Sequence, residues 1–404
     1  MDGFFVYKIK KTVYNKGEKT KGVFVLRIVT FADLHLGVSA YGKIDATTNL
    51  NTRILNALKS LDEMIDYTID NNIELVIAAG DMYKNSSVSS NIQTEFNKRM
   101  KRLIDNNIKV LMLDGNHDVD KMDTKKSPMV VYDDLGVSNV VQTRFHKEEM
   151  VTIDGETVKF VFLPTYHTAQ EIEDIVNNTK YTGNPIVYIF HSTIKGANLN
   201  DWNIAEKETY VDADIFKKKG VAAVVMGHLH KHQIMLKKPM VYYTGSLQRV
   251  DFSEEKQEKG FVVLDVHPDS SVDYEFIEIE SQKFFTLDIN LIGESNETEY
   301  ICKQLDKNKK KIVNSILRIR ASVEKGNYVN ESKVYEHAYS LGAEIVLDIQ
   351  KRVEKKELVR NANLTEHIDE HKALKIFFEG KENVEKLLNM GKTIIEKAKS
   401  EGKI

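Results

Sequence analysis

The sequence predicts an α/β protein in which two strand-rich halves pack face to face with helices on the outside. Three observations carry this reading. Apolar, β-branched runs alternate with helical periods up to about residue 110, strands dominate from Val151 onward, and several of the apolar runs stop at an Asp, Asn or His.

Residues 23–31 read as the first strand. Residues 50–71 follow, with Ile54, Leu55, Leu58, Leu61, Ile65 and Ile69 at helical spacing. A second strand (74–79), an amphipathic helix (91–105) and a third strand (108–113) complete a βαβαβ order, which argues for a parallel sheet covered by helices. Further strands are expected at 158–163, 186–190, 221–226, 240–243 and 261–266, with a helix at 169–177. Near residue 280 the pattern changes. Strands at 285–291, 316–323 and 344–349 enclose helical stretches at 297–311 and 332–341, a small βαβαβ unit of its own. From Thr365 the chain reads as two amphipathic helices, 368–378 and 384–399, separated by Glu379-Gly380. Their stripe of Leu387, Leu388, Ile394 and Ile395 is too small to fold alone.

A chain of 404 residues suggests two or three domains, and 42% hydrophobic with 29% charged residues is the balance of a globular protein. The net charge of −3 excludes a molecule that binds nucleic acid through its overall field, so such affinity has to come from local patches and bound metal. One cysteine, Cys302, rules out an intrachain disulfide framework and fits a reducing compartment. Charge interrupts the N-terminus too early for a secretory leader, and no apolar stretch approaches the roughly 20 residues that span a bilayer. The expectation is a cytoplasmic protein that does not engage a membrane.

The strand ends carry the chemistry. FADLHLG, IAAGDMY, LDGNHD, IFHS and VMGHLH supply Asp33 and His35, Asp81, Asn116, His191, and His228 with His230. In an open α/β sheet the carboxyl ends of strands converge on one crevice, so residues far apart in sequence can meet there. Asp33 and His35, two apart in an extended segment, face the same side. Asp81 has two oxygens and can bridge two cations, and Asn116 offers a neutral carbonyl. Mixed carboxylate, amide and imidazole donors suit Mn²⁺, Fe²⁺ or Zn²⁺ better than Ca²⁺. Two divalent ions bring four positive charges, of which Asp33 and Asp81 cancel two. The surplus can hold a phosphodiester, and ions about 3.5–4 Å apart would acidify a bridging water. Any one such residue alone reads equally well as a turn former; the series does not.

This order of motifs (DxH, GD, GNHD, H, GHxH) resembles the calcineurin-like metallophosphoesterase superfamily and, more closely, its SbcD-type DNA repair exonucleases. The narrower likeness rests on Tyr243-Thr244-Gly245-Ser246-Leu247-Gln248-Arg249, Phe252, Glu254 and Lys259-Gly260-Phe261. The resemblance implies a four-layer β-sandwich flanked by helices, a smaller α/β capping domain and C-terminal helices. It divides the chain into an N-terminal extension (1–22, an added hairpin or an arm), a nuclease domain (23–279), a DNA-binding cap (280–360) and C-terminal helices (361–404). It implies two Mn²⁺ ions, with Mg²⁺, Fe²⁺ or Zn²⁺ as alternatives. Asp33, His35, Asp81 and His230 would hold one, and Asp81, Asn116, His191 and His228 the other. His117 would be the catalytic histidine, with Asp118 either orienting it or capping the turn. Members often carry His or Asp three residues after the bridging aspartate. Here that residue is Lys84, a poor metal ligand but a good phosphate contact. Arg249, Arg318 and Arg320 are further expected substrate contacts, while the run from Lys307 to Lys311 is either a DNA track or a solvated face.

The implied partners are DNA, an SMC-like coiled-coil ATPase of the SbcC type and a second copy of this chain. The C-terminal stripe would pack on the ATPase or on the chain's own cap, and the helices at 50–71 and 91–105 would pair the copies. The leading function is a Mn²⁺-dependent DNA nuclease, a double-strand exonuclease and single-strand endonuclease. The alternatives are a small-molecule phosphodiesterase of the same superfamily and a non-catalytic DNA-end scaffold.

Overall fold

The computed structural model describes residues 11–14, 25–119, 126–198, 210–324, 328–353, 369–381 and 383–400. The chain forms two compact units: 1–289 with 294–321 and 328–350, and 290–293 with 322–327 and 351–404. Of the N-terminal extension only the strand β1 (Lys11–Tyr14) is described; the rest of the hairpin-or-arm expectation lies outside the described residues.

The first half runs β2 (Leu26–Phe31), α1 (Thr52–Asp70), β3 (Leu75–Ala79), α2 (Ser90–Asp105), β4 (Lys109–Leu113), a short α3 (Val131–Asp134) and β5 (Val140–Thr143). Local chemistry sets the helix starts. The Asn51 side chain accepts from Arg53 N at 2.9 Å to cap α1, and Ser89 caps α2. The second half runs β6 (Lys147–Ile153), β7 (Glu156–Leu163), α4 (Ala169–Asn178), β8 (Ile186–His191), β9 (Thr193–Ile194), β10 (Tyr210–Val211), β11 (Val221–Gly227), β12 (Gln233–Lys237) and β13 (Met240–Tyr243). It then returns to the first sheet with β14 (Gly260–Val266) and β15 (Val272–Glu278). The seven-stranded sheet has the order β1-β15-β14-β2-β3-β4-β5, and the six-stranded sheet β12-β13-β11-β8-β7-β6.

The side-chain alternation of the strands separates the layers. Val76 and Ala78 of β3 face Leu58, Leu61, Phe96 and Met100 of α1 and α2. Leu75, Ile77 and Ala79 face the other way, against Phe160, Val187, Ala223 and Tyr242 of the second sheet. Beyond that sheet Val161, Tyr188 and Val224 pack on Ile172 and Val176 of α4. Helix, sheet, sheet, helix is the expected four-layer order. Because both faces of the central strands are buried, they read as continuous apolar runs rather than alternating ones.

After β15 come β16 (Lys283–Asn290), α5 (Glu297–Lys307), α6 (Lys309–Ile312), β17 (Ser315–Val323), α7 (Glu331–Ser340) and β18 (Ile345–Val346), with the sheet order β16-β17-β18. The single helix expected over 297–311 is interrupted at Asn308, which ends α5. The strand expected over 344–349 shrinks to two residues. In the second unit α8 (Glu370–Phe378) and α9 (Val384–Ser400) form a helical hairpin in which neither helix buries a residue. Among the described residues no helix is long and apolar enough to cross a membrane.

Candidate metal centre

The β2–β3 pairing does not stop where the strands do. Asp33 N donates to Gly80 O at 3.0 Å, His35 N to Asp81 O at 3.0 Å and Leu36 N to Met82 O at 2.9 Å, so the DxH and GD turns run side by side. Asp33 (φ 53°), His35 (φ 45°), Asp81 (φ 56°) and His228 (φ 91°) all sit in the left-handed region. Non-glycine residues rarely adopt it, at a cost on the order of 1–3 kcal/mol each, and such strain clusters at functional sites. Two glycines make room. A Cβ on Gly80 would come within 2.2 Å of His191 Nδ1, and one on Gly115 within 2.1 Å of Asp81 Oδ1.

These turns bring the expected donors together. Ligand atoms of Asp33, His35 and His230 lie within 4.8 Å of one another, and so do those of Asp81, His191 and His228. Asp81 lies between the groups, with Oδ2 3.6 Å from His35 Nε2 and 3.3 Å from His191 Nε2. The Asn116 Oδ1 is 3.1 Å from both His191 Nε2 and His228 Nδ1. Backbone NH groups hold the carboxylates. His228 N donates to Asp33 Oδ1 at 2.9 Å, across the two sheets, and His117 N to Asp81 Oδ1 at 2.8 Å.

Hydrogen-bond partners fix the imidazoles. Nδ1 of His191 faces Ala79 O at 2.8 Å, and Nδ1 of His117 faces Lys84 O at 2.9 Å. A carbonyl only accepts, so in the neutral form of both rings Nδ1 carries the proton and Nε2 keeps its lone pair. Nδ1 of His230 meets the Glu254 carboxylate at 2.7 Å, and its Nε2 points at His35 Nε2, 2.9 Å away. Two imidazole nitrogens aimed at one point beside buried carboxylates are a donor set that fits a divalent cation of the Mn²⁺, Fe²⁺ or Zn²⁺ kind.

The electrostatics have the same cause. Burial pulls His191 down, but the adjacent Asp81 carboxylate and Asp33 outweigh it and push the ring up to about 9. Burial holds His35 well below its usual value, and His117 is lowered, again chiefly by burial. Burial raises Asp33, against the pull of His191 and His230.

The other expected site residues divide. The His117 ring stands edge-on to His35, centroids 4.9 Å apart, beside the donors. Asp118 is fully buried and accepts from Gly115 N, Met82 N and Tyr83 N at 2.9, 3.2 and 2.8 Å. It caps the turn, and the main chain of Lys84, not Asp118, steers the His117 ring. The Lys84 side chain is exposed. Arg249 departs from its expected role. Its guanidinium is taken up by the carbonyls of Glu254, Gln257 and Gln282 and by the Ser281 hydroxyl, which makes it an internal strut. Arg318 lies 4.0 Å over the Phe252 ring and donates to Thr286 Oγ1, and Arg320 stands 4.0 Å from Asp288 at the edge of a salt bridge. Two contacts escaped the sequence reading. Glu254 and Lys259 belong to the quoted motif but carried no assigned role, and Tyr166, 47% exposed, donates to the carbonyl of Asn116 at 2.8 Å. The spacing of His230, Glu254 and Lys259 along the chain holds no sign of the first contact.

A double sheet whose strand ends gather carboxylate, amide and imidazole donors defines a class, the metal-dependent phosphoesterases. The chain belongs to one family of that class, the calcineurin-like phosphoesterases, whose family model matches residues 26–232. Within it the chain is similar to the DNA double-strand break repair protein Mre11 of Sulfolobus acidocaldarius, 21% identical over 307 residues, 73% of this chain and 74% of the relative. It is also similar to the SbcD component of the nuclease SbcCD of Staphylococcus saprophyticus, 25% identical over 272 residues, 60% of this chain and 66% of that one. An uncharacterized metallophosphoesterase of Bacillus subtilis, YhaO, is 23% identical over 255 residues, 62% of this chain and 60% of the relative. Among solved structures, a dimetal phosphatase from Danio rerio matches with a TM-score of 0.41 and 8% identity, over 60% of this chain and 93% of that one. The family acts on phosphoester bonds and binds divalent metals.

Proposed function

We propose that this chain is a two-metal DNA nuclease, cutting duplex ends as an exonuclease and single strands as an endonuclease. The observation that carries the reading is the convergence of seven donors from five strand ends around Asp81, with the His117 ring beside them. Asp33, His35, Asp81 and His230 would hold one ion, and Asp81, Asn116, His191 and His228 the other, Mn²⁺ in the leading case. Bound there, the ions would supply positive charge to the phosphodiester and acidify water.

The chain's own groups do the rest. With Nδ1–H committed to Lys84 O, His117 Nε2 is the ring atom left to hold or deliver a proton at the leaving oxygen. Lys84, Arg318 and Arg320 are the cations proposed to contact the phosphate backbone, whereas Arg249 is spent internally. Support for nucleic acid over a small phosphoester comes from the named relatives, a break-repair protein and a nuclease component. We assign residues 280–360 to a cap and 361–404 to the contact with an SMC-like ATPase. Phe377, Met390 and Ile394 stand exposed on α8 and α9. The chain is taken to work as a homodimer.

The test is Mn²⁺ with end-labelled duplex DNA. Wild-type protein releases labelled nucleotide, and His117→Ala slows release by about 10²–10⁴-fold with unchanged metal content. Turnover of a cyclic nucleotide with intact DNA would replace this reading by a small-molecule phosphodiesterase.

A further inference from the structure

Glu254 and Lys259 are 1% exposed, lie outside the proposed donor set, and form a buried ion pair at 2.5 Å. Burying two charges in this way is costly, and a stretch of packed apolar side chains would serve stability as well or better. The pair therefore calls for another reason, and its contacts converge on His230. The Glu254 Oε1 accepts from His230 Nδ1 at 2.7 Å, while Oε2 takes the Lys259 ammonium and Val250 N at 3.2 Å, so the carboxylate cannot swing. The Lys259 Nζ also donates to the main-chain carbonyl of His230 at 2.9 Å, to Ser246 Oγ at 2.8 Å and to Gln257 Oε1 at 2.8 Å. The same His230 carbonyl accepts from Ser246 N at 3.1 Å. Gly245 (φ 75°) lets this turn approach closely: a Cβ there would meet His232 N at 2.7 Å.

We infer that Glu254 and Lys259 are positioning residues for His230, the first fixing its ring and tautomer and the second its main chain, so that Nε2 faces Asp33 and His35. The inference rests on the two-metal reading and deepens it. The dependence is unequal. The contacts of Glu254 and Lys259 named above go to His230 and the turn beside it, whereas His191 is steered by Ala79 O and Nδ1 of His228 faces Asn116 Oδ1, so the cation site that includes His230 should depend on the pair more than the other does. The effect is of a known kind: partners that orient a ligating histidine change metal affinity by about 10–100-fold.

The experiment is a Mn²⁺ titration of the full chain, followed by the EPR signal of the free ion, with melting in EDTA alongside. Glu254→Leu with Lys259→Met removes both charges together, so neither member of the pair is left buried without the other. It is expected to keep one ion at wild-type affinity and to bind the other about 10–100-fold more weakly. Glu254→Gln with Lys259→Met returns an acceptor to Nδ1 and is expected to recover most of that loss, while melting like the first variant. Wild-type affinity in both double variants, or equal weakening at both sites, overturns the inference. Should neither variant fold, the wild-type chain suffices. Labelled with ¹⁵N-histidine and loaded with Zn²⁺, it should show His230 as the Nδ1–H tautomer, and an Nε2–H tautomer overturns the proposal. A wild-type chain that takes up no cation at all overturns the two-metal reading itself, a distinguishable result.

Discussion

At Gly115 a single hydrogen atom decides where Asp81 can sit. A methyl group there would meet Asp81 Oδ1 at 2.1 Å and Asp81 N at 2.3 Å, and neither can retreat, because His35 N is bonded to Asp81 O and His117 N to Oδ1. Gly115→Ala is therefore expected to expel the carboxylate from the cluster. Mn²⁺ content measured by elemental analysis should drop at both sites, while far-UV circular dichroism stays that of a folded chain. Proton competition is argued at the same scale. In the metal-free chain His191 holds its proton up to about 9, because the neighbouring carboxylates outweigh the burial that opposes them. A metal needs the neutral ring, so at pH 7 uptake must displace that proton. Titrating metal into weakly buffered protein should release close to one proton from this residue, and apparent affinity should fall as the pH drops further below 9. Affinity independent of pH between 6 and 8 would remove His191 from the ligand set.

At the scale of elements, the strands that carry the donors were legible because they are buried on both faces. The strand of residues 240–243 and most of the central β-branched runs match within a residue or two, the first strand starts at Leu26 rather than at residue 23, and Asp33, Asp81, Asn116, His191 and His228 stand just beyond or at their ends. The edge strands were not legible. The β6 strand (KEEMVTI) is largely exposed and opens on three charges where a core strand would carry Val or Ile, and β12 (QIMLK), with no buried residue, offers only a three-residue apolar run without a β-branched pattern. Nor was the junction with β16 and β17 legible, since its parts lie far apart in sequence. Phe252 and Phe284 meet edge to face at 4.8 Å, Tyr41 stands against both, Arg318 covers Phe252, and Arg53 lies 5.0 Å over Phe284. Phe252 is two residues from Glu254, so one short turn faces this cluster on one side and His230 on the other. Phe252→Ala, which empties a nearly buried position, should cost about 3–5 kcal/mol in a urea unfolding curve. It should also raise amide exchange in β16 and β17 before that in β3 and β4. Uniform exchange across the chain would show that the cluster is not a separate fastening.

For the molecule as a whole, the decisive feature is that the donors come from both sheets. Asp33, His35, Asp81 and Asn116 follow β2, β3 and β4 of the seven-stranded sheet, whereas His191, His228 and His230 follow β8 and β11 of the six-stranded one. Without a cation, the rim of the sandwich holds buried like charges and four residues at positive φ, and it is crossed by direct bonds such as those from His228 N to Asp33 and from His191 Nδ1 to Ala79 O. Each bound ion would tie the sheets together and offset that strain, and an ion that binds only the folded chain stabilises it by mass action. At a hundredfold excess over Kd this amounts to about 2.7 kcal/mol per site. The melting temperature should accordingly rise by several degrees when Mn²⁺ replaces EDTA, and the rise should grow with metal concentration. Asp81→Asn weakens the one group proposed to serve both ions, so it should abolish most of the rise, while Asp118→Asn, whose side chain caps the turn that carries Asn116 but is itself outside the donor set, should lower the EDTA baseline and leave most of the rise in place. Equal melting of the wild-type chain with and without metal would mean that the ions, if bound, do not cross-link the sheets.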